Sequence, residues 1–131
     1  MNYIVASISK IQSVDNINIV SFTHESQTLK MMSLELDEAF KVGDKVKLGA
    51  KSTNVSLSKS FNVELSISNQ LPSKIVSLDM GGLLCRVKVK FSDTQLESII
   101  TKDSALRMDL QKGDDVLVLI KSSELSIVET L

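Results

Sequence analysis

The sequence has few of the residues from which catalytic and metal sites are built. Its 131 residues include one cysteine, Cys85, one histidine, His24, and no tryptophan. This inventory therefore excludes a disulfide framework, a Cys/His zinc site and a local Cys-His nucleophile. We expect His24 to be an exposed strand residue and Cys85 to be a small packing residue. We expect neither an enzyme nor a resident metal.

Charge of one sign and long apolar runs are also missing. Fifteen basic residues against sixteen acidic ones give a net charge of -1, and aromatic residues make up only 4%. This balance gives no attraction to nucleic acid or anionic lipid, and the aromatics are too few to form stacking platforms for bases. No apolar run approaches the roughly 18 residues that span a bilayer, and the first residues do not have the pattern of a secretory signal. We expect a cytoplasmic protein that binds neither nucleic acid nor membrane.

A duplication organises what is present. Lys41–Val46 resembles Gln111–Val116, and Asn2–Ile11 aligns with Asn69–Leu78. The offsets between the copies are 70 and 67 residues, so the loops differ in length. We predict a first repeat, a short linker and a second repeat, at residues 1–59, 60–64 and 65–131. A domain of about 60 residues buries only about 60% of its unfolded surface, so we expect the repeats to share a core or to associate through their edges.

Most of each repeat has the pattern of strands. Apolar residues alternate with mostly polar ones from Leu83 to Phe91, which is the period of a half-buried strand. Two further strands are predicted at Asp115–Ile120 and Leu125–Val128.

Each repeat is also predicted to contain one short helix. Thr101 is a good N-cap, and the apolar residues that follow it have helical spacing, which predicts a helix at Asp103–Met108. The corresponding helix of the first repeat is predicted at Ser33–Ala39. The predicted fold class is all-β, with two tandem OB-like small barrels that carry one short helix each.

Five segments of the second repeat occur in the order found in the Mop (molbindin, TOBE-type) domain. They are Ser66–Pro72, Gly81, Ile100–Ser104, Lys112–Val116 and Ile120–Ser123. The first repeat resembles the same domain more weakly, through Asn2, Val42–Val46 and Lys51–Thr53. The chain therefore resembles a tandem, di-Mop protein over nearly its whole length.

The resemblance implies a cytoplasmic protein that binds molybdate or tungstate as its ligand, for molybdenum homeostasis, storage or sensing. It implies no organic cofactor and a homo-oligomer with the anion at subunit interfaces, which we expect to be a homodimer, with a trimer as the alternative. A molybdate transporter or regulator is a possible partner. The sequence contains no Gly-x-x-x-x-Gly-Lys-Ser/Thr loop, so we expect no ATP hydrolysis.

The resemblance also implies a site. A fully deprotonated dianion needs donors, and hydroxyls, the N–H groups at the start of a helix and one lysine would supply them. Carried over from the family, the oxyanion-binding residues are Ser66, Ser68, Asn69, Thr101, Ser104, Lys121 and Ser122. The family often has arginine where this chain has Ser68, and the loss of a charge-assisted hydrogen bond predicts binding about ten- to a hundredfold weaker. A second, weaker candidate site in the first repeat consists of Ser33, Lys51 and Ser52, because Leu36 stands where Ser104 would be.

Other interpretations stay open. Taken alone, the pair Thr101 and Ser104 is a helix cap, and Lys121 with Ser122 is the end of a strand. The chain can also be a Mop-like oligomerisation or regulatory module that no longer binds oxyanion. An oligonucleotide-binding barrel is a further class, for which the strand Val87–Phe91 with its two lysines gives the only indication.

Overall fold

The computed structural model describes residues 1–131 and consists almost entirely of strands. The strands are β1 (Asn2–Val14), β2 (Ile17–His24), β3 (Gln27–Ser33), β4 (Lys45–Ala50), β5 (Ser56–Ser58), β6 (Asn69–Met80), β7 (Leu84–Phe91), β8 (Thr94–Thr101), β9 (Asp115–Ile120) and β10 (Ser126–Thr130). The one α-helix, α1, is Lys102–Arg107, and two 3₁₀ helices follow β4 and β9, at Ser52–Asn54 and Ser122–Glu124. The predicted all-β fold class is confirmed. None of the helices has the length and apolarity to cross a bilayer.

The two halves of the chain exchange their last strands. One five-stranded sheet has the order β10-β4-β1-β2-β3, and the other has the order β5-β9-β6-β7-β8. The second half therefore supplies β10 to the first sheet, and the first half supplies β5 to the second sheet. Each sheet needs both halves of the chain for its full set of strands.

The local irregularities repeat with the sequence. The pairing of β1 with β2 shifts between Ile8 and Lys10, and the pairing of β6 with β7 shifts between Ile75 and Ser77. At each bulge, a backbone carbonyl accepts a 2.8 Å hydrogen bond from the backbone N–H of a glycine: Ile8 accepts from Gly43, and Ile75 accepts from Gly113. These glycines have φ values of 97° and 92°, a left-handed conformation that side chains with a Cβ avoid. The two repeats therefore share these structural features as well as their sequence similarity.

One apolar core joins the two sheets. A single cluster of 24 buried residues includes Ile4, Phe22 and Leu48 from the first half together with Leu71 and Phe91 from the second. The predicted alternation is confirmed from Cys85 to Phe91, since Cys85, Val87, Val89 and Phe91 are all buried, but it is wrong at Leu83, which precedes β7 and is 84% exposed. Burial of both halves in one core overcomes the small size of each repeat.

The predicted helix at Ser33–Ala39 is wrong. The chain leaves β3 at Ser33 and forms only a turn before β4. The Ser33 hydroxyl donates to the Glu35 carbonyl instead of capping a helix, and the Asp37 carboxylate accepts from Ala39 N at 2.9 Å. Such bonds from side chain to nearby backbone favour turns over helices.

The helix of the second half is present, one residue earlier than predicted. It spans Lys102–Arg107, and Ser104 N donates to Thr101 Oγ1 at 3.1 Å, which is the N-cap bond that the sequence predicted.

Candidate functional site

Thr101 and Ser104 form one hydrogen-bonded group at α1. Besides accepting from Ser104 N, the Thr101 hydroxyl donates to Ser104 Oγ at 2.9 Å. Arg107, one turn further along the helix, donates from Nη2 to the same Ser104 Oγ at 3.1 Å. Thr101 therefore uses its donor and its acceptor within the helix, and it positions Ser104 rather than presenting a free hydroxyl. Arg107 was not among the predicted site residues.

A cavity of about 490 Å³ opens beside Ser104, between α1 and the β5 segment. It is lined by Ser56, Leu57, Ser58, Lys59, Ser60, Ile100, Ser104, Arg107 and Met108. The lining includes four serines, the two basic residues Lys59 and Arg107, and no acidic residue, and the Lys59 ammonium is already bonded to backbone carbonyls just after α1. Such a lining suits an anion that accepts hydrogen bonds and donates none.

The predicted site missed the β5 side of this cavity. Sequence comparison assigns residues 56–59 to the end of the first repeat and Ser60 to the linker, while Ser104 and Arg107 belong to the second repeat. Only the exchange of β5 into the second sheet brings them together. The one signal in the sequence was the density of serine around Lys59.

Asn69 connects the two sheets through the hydrogen bonds of its side chain. Its side chain is fully buried, accepts from Lys30 N at 2.7 Å, and donates to Lys30 O at 2.9 Å and Ile120 O at 3.0 Å. Asn2, its equivalent in the first repeat, binds Glu97 O and Glu97 N at 2.8 and 2.7 Å. Each asparagine thus ties the start of its own repeat to an edge strand of the other sheet.

The remaining predicted residues surround Asn69 rather than Ser104. Lys121 and Ser122 directly follow Ile120, and the 3₁₀ helix Ser122–Glu124 packs against β3. Ser66 and Ser68 lie exposed in the segment that leads to Asn69. Within one chain, the predicted site therefore divides into a group at α1 and a group around Asn69.

The second candidate site is also divided. The 3₁₀ helix Ser52–Asn54, which follows Lys51, packs against β8 of the other half, whereas Ser33 ends β3. Lys51 is exposed, and the Ser52 hydroxyl is buried without a hydrogen-bond partner. The strand that Ser33 ends therefore packs against the Ser122–Glu124 element, whereas the element that contains Ser52 packs against β8.

The residues singled out for their reactivity are packed in the structure. Cys85 is buried; burial raises the pKa of its thiol, and the nearby Asp79 carboxylate raises it further. His24 Nδ1 donates to Val5 O at 2.6 Å, and its ring stacks on Phe91. No group of three or more His, Cys, Asp or Glu side chains converges as metal ligands.

One domain model and one curated protein have sequences similar to this chain. Residues 65–127 match the TOBE domain model. A curated relative is the molybdate/tungstate import ATP-binding protein WtpC of Pyrococcus abyssi (strain GE5 / Orsay), 24% identical over 110 residues. That match covers 84% of this chain and 32% of the relative, so the chain spans about a third of the length of the transporter subunit.

Two solved structures extend the comparison. The cytoplasmic molybdate-binding protein ModG, solved with molybdate bound, has a TM-score of 0.90 at 20% identity and covers 96% of this chain and 94% of its own. A molybdate-binding protein from Sporomusa ovata has a TM-score of 0.50 at 27% identity, over 51% of this chain and all of its own. One copy of that shorter protein thus corresponds to half of this chain.

The fold and these matches define a class of protein. The chain has the all-β, OB-like architecture of ModG, and both solved structures that it resembles are of molybdate-binding proteins and not of enzymes. The matches support the resemblance to the Mop and TOBE type, with the domain match itself confined to the second repeat.

Proposed function

We propose that this protein binds molybdate or tungstate in the cytoplasm and serves molybdenum homeostasis by storage or sensing. The observation that carries the proposal is the cavity beside Ser104, which has hydroxyl and cationic donors and no carboxylate. The likeness in fold and sequence to proteins that bind or import molybdate supports molybdate or tungstate as the anion that this cavity binds. The module needs no organic cofactor.

The chemistry of the lining favours these two ions over related anions. Molybdate and tungstate are tetrahedral dianions without protons near neutral pH, so hydroxyl and cationic donors can satisfy all their oxygens. Phosphate near neutral pH carries a proton that needs an acceptor, and no carboxylate lines the cavity to supply one. Sulfate has shorter bonds to oxygen, so donors spaced for the larger ions would not all reach its oxygens. We expect weaker binding of both.

We propose that a homo-oligomer completes the site. Ser104 belongs to α1, whereas Ser66, Ser68, Lys121 and Ser122 belong to the segments around Asn69 and do not line the cavity beside Ser104, and the association of two copies would let both groups contact one anion. β3 and β8 end their sheets, and Asn69 and Asn2 bond only Lys30 and Glu97 on them, so the rest of each edge is open to such an association. A homodimer is the simplest arrangement and a trimer is the alternative. Native mass spectrometry with and without molybdate measures subunit number and bound anion together.

Calorimetry tests the binding itself. Molybdate and tungstate are titrated into the wild-type protein and into Ser104→Ala and Lys121→Ala. We expect heat from the wild type and weaker binding by both variants, by about tenfold or more where a charged donor is lost. Absence of heat from the wild type at millimolar anion would contradict the proposal.

A second candidate function is a Mop-like module that assembles without oxyanion, as part of or next to a molybdate transporter or regulator. Two observations favour it: every polar atom of the Asn69 side chain is used inside the chain, and one relative is a transporter subunit. Oligomerisation that is independent of molybdate, together with no heat in the titration, would favour this alternative.

A further inference from the structure

We propose that Arg107 is the guanidinium ligand of the oxyanion and that the β5 segment, Ser56–Ser60, forms the second wall of its site. This proposal rests on the proposed function, because it assigns residues that would bind the same anion. The sequence has serine at position 68, so none of the predicted site residues carries a guanidinium. The structure supplies an arginine elsewhere, on the same cavity wall as Ser104.

The guanidinium of Arg107 is free for a ligand. Its only hydrogen bond within the chain is the one from Nη2 to Ser104 Oγ, at 3.1 Å. No carboxylate pairs with it, in contrast to Arg86, whose Nε lies 3.4 Å from Glu97 Oε2. A guanidinium has five donors in a planar fork, so the bond to Ser104 fixes its direction and leaves the others for oxygen acceptors.

The hydroxyl of Ser104 is oriented as a donor. Its oxygen accepts from the Thr101 hydroxyl at 2.9 Å and from Arg107 at 3.1 Å. Because both lone pairs are used, its own proton is available to an acceptor in the cavity. Thr101 and Arg107 together make Ser104 a donor, as binding of an unprotonated anion requires.

The β5 wall is held against α1. The Lys59 ammonium donates to the carbonyls of Met108 and Asp109, at 3.0 and 3.2 Å, just after the helix. Ser58 Oγ donates to Ser60 O at 2.8 Å and accepts from Ser60 N at 3.1 Å, which closes a turn. The hydroxyls of Ser56 and Ser60 form no hydrogen bond within the chain and line the cavity. The wall thus offers two free hydroxyls on a tethered segment.

The other half of the molecule lacks this arrangement. At the repeat offset of 70, Glu129 stands at the position of Lys59 and Val128 at that of Ser58. The segment equivalent to α1 is a turn, in which, at an offset of 68 from the alignment of Ser33 with Thr101, Ala39 corresponds to Arg107 and Leu36 to Ser104. The same comparison therefore predicts one such site per chain rather than two.

The test compares variants of matched charge in the full chain. Calorimetric titration with sodium molybdate is performed on the wild type, Arg107→Gln, Arg107→Lys and Lys112→Gln. The control, Lys112→Gln, removes one positive charge from an exposed turn outside the cavity. We expect Arg107→Gln to bind about ten- to a hundredfold more weakly than the wild type, Arg107→Lys to recover part of the loss, and Lys112→Gln to bind like the wild type.

The outcomes separate the two proposals. If the wild type binds molybdate and Arg107→Gln binds as tightly as Lys112→Gln, the role of Arg107 is wrong and the proposed function stands. If the wild type binds no molybdate, the proposed function fails and this inference fails with it. Amide chemical shifts measured during the titration locate the anion independently of affinity: we expect the largest changes at Ser58, Ser60 and Ser104. Changes confined to other segments would overturn the location.

Discussion

The rings of His24 and Phe91 stack on each other, with centroids 5.3 Å apart and planes tilted by 36°. The two residues are 67 positions apart, which is the offset that relates the first strands of the repeats. Two other pairs of repeat equivalents also meet: Ser92 Oγ donates to Glu25 Oε2, and Asn54 Nδ2 donates to Glu124 Oε2 at 2.7 Å. Contacts between equivalent residues occur where a twofold axis passes, so the two halves are related by an approximate twofold rotation.

The His24–Phe91 contact should be measurable in a double-mutant cycle. We expect Phe91→Ala to lower the free energy of unfolding by about 3–5 kcal/mol, because Phe91 is buried in the core. His24→Ala should lower it by about 1 kcal/mol, since it removes one hydrogen bond and the ring contact. The coupling between the two changes is expected to be about 0.5–1.5 kcal/mol, measured by urea denaturation of both single variants and the double variant. Additive effects would show that the rings do not stabilise each other.

Replacement of Asn69 should destabilise the junction between the sheets. Asn69→Ala removes three hydrogen bonds and leaves Lys30 N, Lys30 O and Ile120 O without this partner. We expect a loss of about 2–3 kcal/mol in the free energy of unfolding, and a smaller loss for Asn2→Ala, which has two such bonds. Asn62→Ala, at an exposed position, is the matched control and should change stability by less than about 0.5 kcal/mol. Equal stability of the Asn69→Ala and Asn62→Ala variants would contradict this role.

The strand exchange predicts that neither repeat is stable alone. A fragment of residues 1–59 lacks β10, and a fragment of residues 65–131 lacks β5, and each loses part of the shared core. We expect neither fragment to unfold cooperatively on its own, while an equimolar mixture recovers the circular dichroism spectrum and a cooperative transition. A cooperative transition in either isolated fragment would show that its sheet is stable without the exchanged strand.

The buried thiol predicts a stability change at alkaline pH. Burial, with Asp79 nearby, raises the pKa of Cys85 in the folded state, so the unfolded chain loses the thiol proton at lower pH than the folded one. The unfolded state then binds fewer protons in the alkaline range, and the free energy of unfolding falls as pH rises through it. Urea denaturation at about pH 7 and about pH 10 should show a larger decrease for the wild type than for Cys85→Ala, because the variant has no thiol to ionise. The same decrease in both proteins would exclude a contribution from this thiol.

The sequence by itself determined the strands, the repeat and the class of fold. The alternation from Leu83 to Phe91 and the Gly-Asp turns at Gly43 and Gly113 are local patterns, because the geometry of a strand or tight turn depends on adjacent residues. The cap at Thr101 is local as well, and the helix that it starts was predicted to within one residue. The false helix at Ser33–Ala39 marks the limit of this approach, since competing hydrogen bonds of Ser33 and Asp37 select a turn there.

Only the tertiary structure decided which of these pieces meet. Sequence comparison assigned residues 56–59 to the first repeat, Ser60 to the linker and Ser104 with Arg107 to the second repeat, and the exchange of β5 and β10 places them on one cavity. The 3₁₀ helix that contains Ser122 packs against β3, and Asn69 uses its side-chain amide to bond the backbone of β3, so this amide is not available to a ligand. The reason is physical: local propensity fixes the backbone of a segment, whereas the choice between pairing with its own sheet or the other depends on burial of a core that both halves share.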